Sequence, residues 1–276
     1  MQQLLACPVC GAGLARRTDA MRCGHGHSFD IARQGYVNLL ARDAPAGLGD
    51  TAEMLAARAA FLDAGHFDSL IEAVAEAAQE AAGDGPGAVV DIGAGTGHYL
   101  AATLDRMPGR QGLALDASRH AARRAARAHP RAGAAVCDVW RAICVCDGAA
   151  RVVIDVFAPR NGEEIARVLA PGGTLIVVTP TQRHLAELRE PLAMLAVDER
   201  KEERLNASLA PQLCGVQRDE VEARLTLDRR ALGQLVAMGP SAYHTDSADL
   251  AERISAQPES VYATASVTLT RWRLAP

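Results

Sequence analysis

Asp91-Ile92-Gly93-Ala94-Gly95-Thr96-Gly97 follows the short apolar run Ala88-Val89-Val90 and precedes a helical pattern from His98 to Arg106. A strand, a glycine turn and a helix in that order open a βαβ unit. Glycine lets the backbone turn sharply there, and lets a ligand approach with no Cβ in the way. The dinucleotide fingerprint needs G-x-G-x-x-G; here the last glycine comes one position early and His98 stands in its place. Further apolar runs lie at Gly112–Leu115, Ala134–Val136, Val152–Ile154 and Thr174–Val178, alternating with helical patterns. The alternation predicts a parallel sheet covered on both faces. Upstream, helices are expected over Thr51–Ala64, capped at Asp50 or Thr51, and over Phe67–Ala82. Downstream, β-like stretches span Glu222–Leu227 and Ser266–Arg273.

The G-x-G-x-G spacing resembles that of class I methyltransferases. In that family the loop packs against the methionine end of S-adenosylmethionine, and an acid ending the next strand bonds the ribose hydroxyls. Asp116, closing Gly112-Leu-Ala-Leu-Asp, stands at that position. Asp138, after Val136-Cys137, is placed for the adenine side. Ile165 to Val178 reads as a helix, a tight Pro171-Gly172-Gly173 turn and a strand of the same fold. The cofactor set is therefore Asp91, Gly93, Gly95, Thr96, Gly97, Asp116 and Asp138. An acid at a strand end is often only a cap, and the weight lies in the three features occurring in register.

The chain has 276 residues, 49% of them apolar, and a formal net charge of -4. Such a composition excludes a disordered chain and a surface that is basic throughout. Lys201 is the only lysine among 29 basic residues, so an arginine here carries little information about geometry. No leader pattern opens the sequence and no window of 18 apolar residues occurs, so no membrane association and a cytoplasmic location are expected. In a reducing compartment seven cysteines suggest a metal or free thiols.

Cys7-Pro8-Val9-Cys10, twelve residues, and Cys23-Gly24-His25-Gly26-His27 form a four-ligand spacing for structural zinc. The fourth ligand is His27, with His25 close behind. Cys144 and Cys146 alternate as on one strand face, and with Cys137 and Cys214 read as free thiols. The fold class is thus α/β, a class I (Rossmann-like) methyltransferase domain with an N-terminal zinc-binding module. The expected division is 1–40 for zinc, 41–84 for linker and helices, and 85–276 for the methyltransferase. The zinc module is expected to be separable, so that Cys23→Ser unfolds it while cofactor binding persists.

Between Asp116 and Asp138 lie Arg119, Arg123, Arg124, Arg127 and Arg131 with no acid among them. On a helix, Arg119, Arg123 and Arg127 make one stripe able to meet phosphates, or simply a solvated face.

With these motifs the chain resembles the RlmA-type 23S rRNA (guanine-N1-)-methyltransferases, in the branch typified by the tylosin-resistance methyltransferase of antibiotic producers. The resemblance includes Gln34–Leu40, Asp50–Met54, Ala57-Arg58, Phe61–His66, Val156–Asn161, Thr179-Pro180 with His184-Leu185, and Met238–Ser241. It implies zinc on Cys7, Cys10, Cys23 and His27, and cofactor contacts from Phe67, Gly95, Thr96 and His184. It also implies a homodimer whose cleft takes a 23S rRNA hairpin, methylation of guanine N1, and resistance to a tylosin-like macrolide. Ile143-Cys144-Val145-Cys146 departs from the Leu-Pro-Leu turn of the family. No general base emerges: Asp155 reads as structural, Asp50 as a helix cap, and Arg160-Asn161 as weak candidates. The alternatives are a methyltransferase for a small antibiotic-like molecule and an inactive zinc-dependent RNA-binding protein.

Overall fold

The computed structural model describes residues 4–41, 49–198, 200–239 and 247–275. Residues 42–48, at the start of the segment 41–84 expected to hold the linker and helices, lie outside them, as do Pro240 and Ser241. Three short strands, β1 (Ala15–Arg17), β2 (Ala20–Arg22) and β3 (Ser28–Asp30), pair antiparallel as one small sheet. Then follow β4 (Tyr36–Asn38), α1 (Ala52–Asp63), α2 (Asp68–Ala82), β5 (Ala88–Ile92), α3 (His98–Arg106), β6 (Gly112–Asp116), α4 (Arg119–Ala125), β7 (Ala132–Val136) and β8 (Ala150–Val156). The remainder comprises α5 (Gly162–Val168), β9 (Leu169–Pro180), α6 (Ala186–Arg189), α7 (Lys201–Leu209), β10 (Leu213–Asp228), α8 (Arg229–Ala237), α9 (Ser247–Ser255) and β11 (Ser260–Leu274).

The main sheet has the order β10-β11-β9-β8-β5-β6-β7-β4. All neighbours from β9 to β4 run parallel, and the long antiparallel pair β10–β11 adds two strands at the other edge. Successive side chains point to opposite faces. Val89, Ala114, Ala134, Val152, Ile154 and Ile176 accordingly enter one core, under α2, α3, α4 and α8. Val90, Ile92, Leu113, Leu115, Ala135 and Val153 enter the other.

That second core has an unusual cover. Parallel strands are ordinarily linked by a crossover helix, yet residues 137–149, between β7 and β8, contain none. Leu5, Leu14, Met21, Val37 and Leu39 of the N-terminal module pack there instead, beside Ile143 and Val145. Backbone bonds tie the layers: Ala6 N–H donates to Cys144 O at 3.1 Å, and Cys146 N–H to Leu4 O at 2.8 Å. The zinc module therefore shares its core with the sheet, and the expectation of separability changes accordingly.

Several local expectations need correction. Cys144 and Cys146 are not on a strand, because only Val145 bridges, to Leu5. The Pro171-Gly172-Gly173 turn lies inside β9 rather than before it: Ala150 pairs with Leu169 and Val152 next with Thr174, so residues 170–173 loop out of the pairing, with Gly172 at φ +71°. The first helix is capped by Thr51, whose Oγ1 accepts Met54 N–H, whereas Asp50 pairs with Arg58 at 2.6 Å. Helix α4 ends at Ala125, leaving Arg127 on the following turn. Arg131, further along the acid-free segment, is engaged by the fold: its guanidinium donates to the carbonyls of Leu104, Met107 and Arg110 around the end of α3.

Candidate active site and metal centre

The carboxyl ends of the central strands are in register: Ile92 lies beside Leu115 and Asp155, and Asp116 beside Val136. Chain order reverses on either side of β5, and open parallel sheets bind ligands at such a point. The glycine loop sits there, with φ of +67° at Gly93, +54° at Gly95 and +84° at Gly97. Two of these glycines are set by packing. A Cβ on Gly93 would meet Ala158 Cβ at 2.5 Å, and one on Gly97 would meet Ala128 Cβ at 2.8 Å. A Cβ on Gly95 would instead approach Arg58 Nη1, at 3.0 Å.

Asp116 pins the loop. Its Oδ2 accepts Gly95 N–H at 2.9 Å and its Oδ1 accepts Ser118 N–H at 2.8 Å. Burial pushes this carboxyl up, while the same two N–H groups work against the rise. Each carboxylate oxygen keeps a second lone pair, so Asp116 can still accept from hydroxyls. Asp138, two residues past β7, accepts Trp140 N–H at 3.1 Å. Thr96 is buried, with Oγ1 2.8 Å from His98 Nδ1.

Asp91 is 2% exposed, and its Oδ2 has no hydrogen-bond partner among the described residues. Burial, then the nearby Asp116 and Asp155 carboxylates, push it well above the usual carboxylate range. Such an orphan acceptor fits a site whose ligand brings a donor. A carboxyl raised by folding loses stability as pH climbs above its unfolded value of about 3.9, because ionisation costs more in the folded chain. Without added cofactor, Asp91→Asn is therefore expected to melt above the wild type at pH 8, with the gap closing towards pH 4. A gap independent of pH in thermal melts would refute this.

Phe67, at the start of α2, is buried edge-on to Phe61, with ring centroids 5.1 Å apart. His184 lies 6.1 Å from Phe67 and 5.6 Å from Phe157. Since Ala158 is the residue against Gly93, this aromatic row and the glycine loop meet at Phe157-Ala158. Two contributors escaped sequence reasoning. Arg58 bridges the Asp50 carboxylate and, at 2.7 Å, Met238 O above Gly95, and Phe157 projects into solvent. Both fall in segments that carry the family resemblance, but nothing in the sequence gave them roles. A separate cavity of about 450 Å³, lined by Gln182, Asp198, Arg218 and Trp272 among others, shares no residue with the loop.

At the N-terminus, ligand atoms of Cys7, Cys10, Cys23 and His27 all lie within 4.8 Å of one another. Cys10 Sγ is 3.8 Å from Cys23 Sγ, and His27 Nδ1 is 3.5 Å from Cys7 Sγ and 3.3 Å from Cys23 Sγ. Tetrahedral zinc with bonds of about 2.3 Å to sulfur sets sulfur–sulfur edges of about 3.8 Å, so the group fits the ion. His25 reaches only Cys10 Sγ, at 3.4 Å, and stays on the exposed side. Burial alone would raise the Cys23 thiol; N–H groups of His27 and His25 and the His27 ring outweigh it and bring the thiol down to about 6.

The family model for the N-terminal zinc ribbon of RlmA matches residues 5–43. A 23S rRNA (guanine(748)-N(1))-methyltransferase of Streptomyces fradiae is 53% identical over 274 residues, 99% of this chain and 97% of that protein. A Bacillus subtilis protein described as a 23S rRNA (guanine-N(1)-)-methyltransferase is 31% identical over 87% of each chain. Among solved structures, a chain from the complex of the Haloferax volcanii Trm112 methyltransferase activator with a methyltransferase superposes with a TM-score of 0.51. It is 23% identical and covers 83% of this chain and all of its own, a likeness of fold. With its zinc-ribbon match, its methyltransferase-like sheet and this near end-to-end identity, the chain belongs to the 23S rRNA (guanine-N1-)-methyltransferases.

Proposed function

We propose that the chain transfers a methyl group to N1 of a guanine in a 23S rRNA hairpin. The observation that carries this reading is the 53% identity across 99% of the chain to the Streptomyces fradiae enzyme of that activity. The cofactor cradle supports it. Asp91, Gly93, Gly95, Thr96, Gly97, Asp116, Asp138, Phe67 and His184 are the residues we assign to holding S-adenosylmethionine. Asp116 would take the ribose hydroxyls and Asp138 the adenine side. Cys7, Cys10, Cys23 and His27 would hold zinc as a closed structural site.

When bound, S-adenosylmethionine supplies an electrophilic methyl on a sulfonium. The residues of the chain contribute position, since fixing two reactants in line can supply most of the rate. Guanine N1 carries a proton that must leave as the new N–C bond forms. Asp155 is not its acceptor: it is fully buried and held by Arg160 Nη2 at 3.0 Å. Asn161, the other weak candidate, caps α5 by accepting Glu164 N–H.

Exposed Arg119, Arg123, Arg124 and Arg127 supply cations for the phosphates of the hairpin. Among the described residues no helix is long and apolar enough to cross a membrane; a cytoplasmic location, where rRNA would be met, is part of the proposal. The homodimer and the resistance role are carried over from the family.

Labelled S-adenosylmethionine with 23S rRNA transcripts is expected to yield labelled RNA and one new primer-extension stop at a guanine. Label in a small molecule but not in RNA would overturn the reading. Drug susceptibility of cells carrying the gene tests the resistance role, and sedimentation tests the dimer.

A further inference from the structure

Val156-Phe157-Ala158-Pro159 leaves β8 at the cradle, and Phe157 is held there with φ at +56°. A bulky side chain rarely adopts that conformation, and it persists only where the surroundings over-determine it. They do so here. Phe157 N–H donates to Val178 O at 3.2 Å, and Arg160 Nη2 donates to Ala158 O and Asp155 Oδ1, each at 3.0 Å. Ala158 is wedged against Gly93. The strain does not serve core packing, because 41% of the Phe157 surface remains exposed.

The second wall shows the same device. Leu185, next to His184, has φ of +54° and is fixed by donating to Thr264 O at 2.7 Å. The His184 ring is itself anchored, with Nδ1 3.1 Å from Ser266 O. Two strained turns from different parts of the chain thus bring a phenyl and an imidazole ring 5.6 Å apart, inclined by 51°. One side of the pair is backed by buried Phe67, and the Phe157 side opens to solvent beside the glycine loop.

A base to be modified must leave its stack, and aromatic side chains replace the stacking it loses. We propose that Phe157, steadied by His184, is the platform on which the extruded purine lies while its reactive edge faces the methyl donor. Phe157 is then a substrate-positioning residue outside the cofactor set. The proposal rests on the substrate reading given above.

Wild type, Phe157→Ala, Phe157→Tyr and Phe157→Gly are compared on a 23S rRNA hairpin transcript by single-turnover methyl transfer, cofactor titration and thermal melting. Phe157→Ala is expected to slow transfer about 10- to 100-fold, the scale of one base–aromatic stack, with cofactor affinity changed less than about threefold on that same scale. Phe157→Tyr keeps the ring and restores the rate. Phe157→Gly loses the rate but melts at or above the wild-type temperature, since glycine adopts the positive φ without strain. Transfer by Phe157→Ala at the wild-type rate would overturn the platform. So would a loss of cofactor affinity equal to the loss of rate, which would put the ring on the cofactor. No transfer by wild type would fail the substrate reading first and this proposal with it, whereas equal transfer by wild type and Phe157→Ala fails the platform alone.

Discussion

Stripping the zinc is expected to abolish cofactor binding together with the N-terminal fold. Zinc bound by three thiolates and an imidazole contributes on the order of 10 kcal/mol in small modules, a figure comparable with the whole stability of a typical domain. Were the module a bead on a string, the loss would stop at its border. It does not stop there, because Leu5, Leu14, Met21, Val37 and Leu39 form a common core with Val90, Ile92, Leu113 and Leu115, the strands beneath the glycine loop. In addition, β4 pairs with β7 from Tyr36–Ala134 to Asn38–Val136, one residue short of Cys137 and two short of Asp138. Chelation, or Cys23→Ser, should therefore give one cooperative loss, read by tryptophan fluorescence and by cofactor titration in the same samples. Intact cofactor affinity in a zinc-free protein would show that the shared core is energetically unimportant.

Gly93→Ala is expected to remove most cofactor binding and to destabilise the chain by roughly 2–4 kcal/mol, combining the cost of a positive φ with overpacking. Its Cβ would lie 2.5 Å from Ala158 Cβ, beside the backbone that carries Phe157. Only the steric part can be relieved elsewhere. Ala158→Gly in the Gly93→Ala background should recover part of the melting temperature but not all of it, and the two changes should couple rather than add. Independent, additive effects would mean that the glycine is there for its φ alone. By contrast Gly95, whose absent Cβ faces only the flexible Arg58 side chain, should tolerate alanine better in stability than in cofactor affinity.

The sheet was legible because its signals are local. A glycine turn between an apolar run and a helix needs no distant partner to be recognised, and α3 spans the predicted His98–Arg106. The grouping of Cys7, Cys10, Cys23 and His27 was legible for the same reason, since Cys-x2-Cys is a turn. Features that depend on distant pairing were not. Tyr36-Val37-Asn38 is too short to show any period, yet it completes the sheet edge. The run Ile143–Cys146 looked like a strand, but its neighbours Leu4–Ala6 come from the far end of the sequence. The role of Arg131, which ties the carbonyls at the end of α3, depends in the same way on partners more than twenty residues away. Arg58 and Phe157 acquire meaning only from what folding places against them.

The missing crossover helix has a consequence for synthesis. Residue 36 leaves the ribosome well before its partner, residue 134, and at about 5–20 residues per second the wait is on the order of 5–20 s. Through that interval the apolar side of the module has nothing to lie on. An ion that closes the first turn early gives the nascent segment a shape it can keep until the strands it must cover have been made. Metal supply during translation is then expected to affect the yield of active protein, in addition to its part in holding the finished enzyme together.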